Sequence, residues 1–128
     1  RLLTLVLIFF IAACQSDETL RAYGASDRIW TLTEVDGISF TAQATLAFPE
    51  EGRISGQAPC NLYSATMTVP YPWFEVGPIM STKMACPDLP DEAQFFSDLS
   101  AMTLSEVFNG VLILSTDDGR SMVFKTAD

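Results

Sequence analysis

Hydrophobic and polar residues alternate along most of this chain, and the alternation predicts short strands. Ile29 to Val35 (IWTLTEV) puts Trp30 and Leu32 on one side and Thr31 and Thr33 on the other. That two-residue period belongs to a strand with one face on a core. After a turn at Asp36-Gly37, Ala44, Leu46 and Phe48 alternate with Gln43, Thr45 and Ala47 in a second strand. Pro49-Glu50-Glu51-Gly52 reverses the chain, and Arg53 to Gln57 makes a third strand with Ile54 inward. Gly56 inside it marks a bulge or a close backbone approach. Leu62 to Val69 is a fourth strand, broken by Pro70 and Pro72. Trp73 to Val76 and Ile79 to Lys83 read as short strands around Gly77-Pro78.

The pattern changes at Pro87-Asp88-Leu89-Pro90-Asp91. Over residues 91–102, Phe95 or Phe96, Leu99 and Met102 recur at helical spacing. Asp88, Asp91 and Glu92 set negative charge at the positive end of that helix. Leu104 to Phe108 and Val111 to Ser115 then flank Asn109-Gly110, whose residues both tolerate positive φ. Ser121 to Lys125 follows a turn at Asp117-Asp118-Gly119. The expected class is α+β, mainly antiparallel: a small barrel-like sheet of seven or eight short strands, with one α-helix inserted before a C-terminal β-meander.

The N-terminus follows a different rule. Leu2 to Ala13 is almost wholly apolar and is preceded by Arg1. A membrane-spanning helix needs roughly 20 apolar residues, so this run is too short. A basic residue, a short apolar run and small residues at its end match a secretory signal, truncated at its start because no initiator Met precedes it. Ile11-Ala12-Ala13-Cys14 resembles the lipobox of bacterial lipoproteins. That resemblance implies removal of residues 1–13 and acylation of Cys14, which anchors the chain in a membrane. Each buried CH₂ contributes about 0.8 kcal/mol, and stable attachment takes more than one chain. Gln15 and Ser16 follow the cysteine, with no Asp directly after it. By resemblance to enterobacterial sorting rules, this places the protein at the outer membrane, facing the periplasm. Residues 14–28 are polar and read as a flexible tether with a reach on the order of 20 Å. The alternative is that Leu20 and Tyr23 pack onto the domain at 29–128.

Charge and composition narrow the chemistry. Asp and Glu number 16 against 7 Lys and Arg, and the net charge of −9 becomes one unit more negative when Arg1 leaves with the signal. Nucleic acid and anionic headgroups both require a cationic surface, so no nucleic-acid partner is expected. Histidine is absent, which removes the commonest general base, the usual zinc ligand and every Ser-His or Cys-His nucleophile. No enzyme activity, cofactor or metal is expected. Glu50-Glu51 and Asp117-Asp118 lack the spacing and ligand count of a calcium loop.

Trp30-x-Leu32, Asp36-Gly37, Gly56 before Cys60-Asn61-x-Tyr63-Ser64, and Thr82-Lys83-Met84-Ala85-Cys86 form a combination that resembles the META domain, the HslJ-type family. The likeness runs from about Ile29 to the last strand. It implies a small β-rich fold with one helix, an envelope lipoprotein setting and an association with heat or drug stress. It supplies no established reaction, so no catalytic residue is carried over.

Cys60 and Cys86 read as a disulfide, a redox pair or buried thiols. An oxidising compartment favours the bridge, and redox pairs normally sit closer in sequence. Asn61 and Thr82 are either polar contacts in a pocket or side chains that bond the backbone of irregular segments. Tyr71, Trp73 and Phe74 are either a grip for a partner or ligand or the cover of a small core. The leading function is a non-enzymatic, membrane-anchored envelope lipoprotein with a binding or protective, stress-related role. The alternative is a barrel or groove that holds an acyl chain, or the tail of a secreted or outer-membrane protein, as pilot lipoproteins do. A thiol or carboxylate enzyme is the third reading.

Overall fold

The computed structural model describes Ile8 and residues 16–127. The expected lipid site at Cys14 and, but for Ile8, the signal-like run lie outside these residues. The strands are β1 (Ile29–Val35), β2 (Ile38–Ser39), β3 (Thr45–Glu50), β4 (Arg53–Gln57), β5 (Leu62–Thr66) and β6 (Met80–Ser81). After the helix α1 (Leu89–Ala101) come β7 (Leu104–Phe108), β8 (Val111–Ser115) and β9 (Ser121–Thr126). They form one antiparallel sheet in the order β6-β5-β4-β3-β1-β9-β8-β7, with β2 folded back on β1. The α+β class and, among the described residues, the single α-helix are as the patterning predicts.

β1 sits at the centre because its inner residues, Trp30 and Leu32, face Leu46 of β3 and Phe124 of β9. Those side chains and Ile54, Phe74, Phe95, Leu112 and Leu114 are buried in one core. The hairpin at Asn109-Gly110 forms as expected, with φ of 46° and 73°.

Strand pairing does not close the sheet into a barrel. The segment at residues 70–77 lies across the gap instead. Ser105 N–H donates to Pro72 O at 2.7 Å and Phe74 N–H to Thr103 O at 2.9 Å, while Gly77 N–H reaches Thr66 O on β5 at 3.0 Å. The strand expected from Trp73 to Val76 is therefore a single bridge from Trp73 to Leu104, because Pro70 and Pro72 cannot donate to a ladder.

Other boundaries shift for local reasons. Pro49 belongs to β3 rather than to a turn, at a register shift between Ala47 and Glu50 where a proline is tolerated. The strand expected over Ile79 to Lys83 is only Met80–Ser81: Thr82 N–H still bonds Leu62 O, but the backbone groups of Met84 are taken by the Asn61 side chain. α1 begins two residues early, with Pro90 in its first turn, where a missing N–H leaves no bond unmade.

The expected tether is corrected. Leu20 opens a 3-10 turn and is fully buried, as is Ala25, whose carbonyl accepts a 3.0 Å bond from the Trp30 indole. Tyr71 N–H donates to Glu18 O at 2.7 Å. From Asp17 onward the segment is part of the folded body. Leu20 and Ala25 follow no regular period in the sequence, so periodicity gave no sign that they fill the core.

Candidate functional site

Cys60 and Cys86 are joined by a disulfide with Cα atoms 5.8 Å apart. The bridge ties the β4–β5 connection to the segment that enters α1, and three side chains beside it form a polar hub. Asn61 is 3% exposed. Its Oδ1 accepts from Thr82 Oγ1 at 2.9 Å and Met84 N–H at 2.6 Å. Its Nδ2 donates to Met84 O at 3.2 Å and to Glu92 Oε2 at 2.8 Å. Glu92, at 5% exposure on α1, accepts at Oε1 from the N–H groups of Cys60 at 3.0 Å and Asn61 at 2.7 Å. Asn61 and Thr82, expected either in a pocket or as backbone props, are both: they hold the backbone, and they form the floor of a groove.

That groove has a volume of about 790 Å³ and lies between α1 and residues 76–85. Its walls include Val76, Ile79, Met84, Leu89 and Phe96, with Lys83 at the rim. Met84 is 63% exposed and Leu89 40%. Among the described residues Lys83 makes no ion pair, whereas Arg21, Arg53 and Arg120 are all paired.

The carboxylates here act as struts. Glu92 has both oxygens bonded to N–H groups of the chain itself. Farther along α1, Asp98 is 2% exposed and accepts from Arg120 at 2.7 Å and from Gln94 at 2.8 Å. Arg120 also reaches Asp36 at 3.0 Å, and these partners raise its pKa. Asp36 is held below the usual carboxylate range, first by the Ser121 N–H and then by Arg120. Tyr63 donates to Thr45 O at 2.6 Å, and burial pushes its phenol well above the ordinary range. It reaches that carbonyl across Gly56, where a Cβ would stand 2.1 Å from the same oxygen. The close approach expected at Gly56 is real.

The aromatic group divides. Phe74 is buried in the core, Tyr71 is half-buried and stacked on Tyr23 with centroids 4.7 Å apart, and Trp73 is 56% exposed. None of the three lines the groove: Trp73 and Phe74 border a second hollow of about 480 Å³, and Tyr71 lines a third depression. Among the described residues, no group of His, Cys, Asp and Glu is placed to hold a metal ion, and no helix is long and apolar enough to cross a membrane.

Glu92, Asp98 and Arg120 were not singled out in the sequence as site residues. A signal was there for two of them. Glu92 and Asp98 fall on the same helical stripe as Phe95 and Leu99, where the pattern asks for apolar residues.

The META domain model matches residues 24–128, which takes in the disulfide, the hub and every strand. The chain belongs to the META domain family. Among curated proteins, none matches the chain. Three solved structures share the fold of this META domain. One is the NMR structure of a protein from Burkholderia xenovorans, with a TM-score of 0.66 and 20% identity, covering 84% of this chain and 86% of that one. A second NMR structure has a TM-score of 0.61 and 23% identity, covering 79% of this chain and 90% of its own. A crystal structure of a duf4847 family protein from Bacteroides vulgatus has a TM-score of 0.53 and 15% identity, over 64% of this chain and 57% of that one. At these identities the likeness is one of fold.

Proposed function

We propose that this protein is an envelope lipoprotein, acylated at Cys14, whose META domain is a non-enzymatic binding module that contacts its partner through the groove beside α1. One observation carries the reading: the groove has exposed apolar walls over a floor whose polar groups are already bonded to one another. Such a floor is rigid and leaves no carboxylate free to act as a base. The walls still offer area that a partner gains by covering. The alternative, a barrel or groove for an acyl chain or a protein tail, is best served by the groove, because Trp30, Phe74, Phe95 and Phe124 are buried in the core. An acyl chain or protein tail would lie in the surface groove. A protective, stress-related role fits a module that covers a partner and leaves it unchanged.

The test is a photo-crosslinking amino acid at Ser97, in the groove, and at Glu34, an exposed position outside it. In intact envelopes Ser97 should give a discrete adduct that Glu34 does not, and Met84→Glu should abolish it. The same adducts from both positions, or an adduct indifferent to Met84→Glu, would reject the groove as the contact surface.

A further inference from the structure

We infer that the face carrying Trp73, Tyr71 and Tyr23 rests directly on a zwitterionic bilayer surface, with Trp73 at the level of the headgroups. This rests on the proposal that Cys14 is acylated. What adds to it is the short leash.

Asp17 is already fixed to the body, since its Oδ1 accepts from the N–H and the hydroxyl of Thr19 at 2.9 and 2.6 Å. Glu18 O is bonded to Tyr71 N–H at 2.7 Å. Three residue steps separate Cys14 from Asp17, so the lipid-bearing residue lies within about 11 Å of the domain surface. Trp73 stays on that side because its N–H closes a turn on Pro70 O at 2.9 Å, which holds those two Cα atoms under about 7 Å apart. A tether running to Arg28 would have let the body swing clear of the membrane; one ending at Asp17 cannot.

The side chains suit that position. Trp73 is 56% exposed and Tyr23 49%, and aromatic rings with a polar edge collect where hydrocarbon meets water. The rim is acidic: Glu75 borders the hollow beside Trp73, and Glu106 lines the depression that includes Tyr71. A rim of that sign avoids anionic lipid and tolerates a zwitterionic surface.

The chain has two tryptophans, and Trp30 is fully buried, so Trp30 gives a constant background and only Trp73 can meet the lipid bromines. The full acylated protein is placed in vesicles of phosphatidylethanolamine and bromine-labelled phosphatidylcholine, with the mass of Cys14 checked first. Emission should drop in the wild type and not in Trp73→Phe, with the strongest quenching from bromines near the headgroups. An acylated protein whose emission is unchanged by bromine overturns this inference and leaves the lipoprotein reading standing. An unmodified Cys14 overturns both.

Discussion

Asn61 makes four side-chain hydrogen bonds, and its orientation is forced. Oδ1 must face the Thr82 hydroxyl and the Met84 N–H, so Nδ2 must face Glu92. Asn61→Ala therefore removes props from two segments and leaves a buried carboxylate short of a donor. Losing a partner of a buried charged group costs about 3 kcal/mol, and the urea midpoint should fall accordingly at an unchanged slope. A variant within a few tenths of a kcal/mol of wild type would show that the hub carries no stability. Asp36 supplies a prediction in pH. Its folded pKa lies below the ordinary 3.8 because it accepts from Ser121 and Arg120. A depressed folded pKa adds stability that is present above 3.8 and lost as pH falls through the lower folded value. Asp36→Asn tolerates the same left-handed backbone, φ 52°, and should lose less stability than wild type on acidification below 3.8. Equal acid slopes in urea melts of the two proteins would contradict that assignment.

At the scale of elements, α1 is fastened at both ends to different parts of the sheet. Glu92 grips the β4–β5 connection, and Asp98 grips the β8–β9 turn through Arg120. Between them Phe95 packs edge-on against Tyr63, with centroids 5.5 Å apart. The strands were legible because alternation is local: β1, β4, β7 and β8 fall where the pattern puts them. What the pattern missed depends on distant partners. Met80–Ser81 is short because Asn61, far back in the chain, claims the backbone groups of Met84. Leu20 is buried because it joins the core that the strands and helix build from distant parts of the chain. The disulfide beside the hub was legible through compartment and spacing, and its worth can be measured. A bridge spanning 26 residues stabilises by about 3.5 kcal/mol in the chain-entropy treatment. Cys60→Ala should lower the melting temperature under oxidising conditions and leave it near the wild-type value in excess reductant. An equal drop in both conditions would mean that Cys60 matters only through packing.

For the whole molecule, the proposed acyl anchor at Cys14 has to carry all of the membrane attachment. Its charge of −9 gives no attraction to anionic lipid, and no described helix spans a bilayer. On that proposal the partly exposed rings of Tyr23 and Trp73 would orient a protein already delivered to a surface. A single myristoyl chain binds with a constant of only about 10⁴ M⁻¹, so stable anchoring takes more than one chain. On the proposed reading, retention comes from several acyl chains on Cys14. If Cys14 is the acyl anchor, Cys14→Ser should move the protein into the soluble fraction while leaving the domain folded, because among the described residues the first buried ones are Thr19 and Leu20. The melting temperature of the released protein checks the second half of that statement. Persistent membrane association of a folded Cys14→Ser protein would overturn the acyl anchor and transfer the whole task to the protein surface.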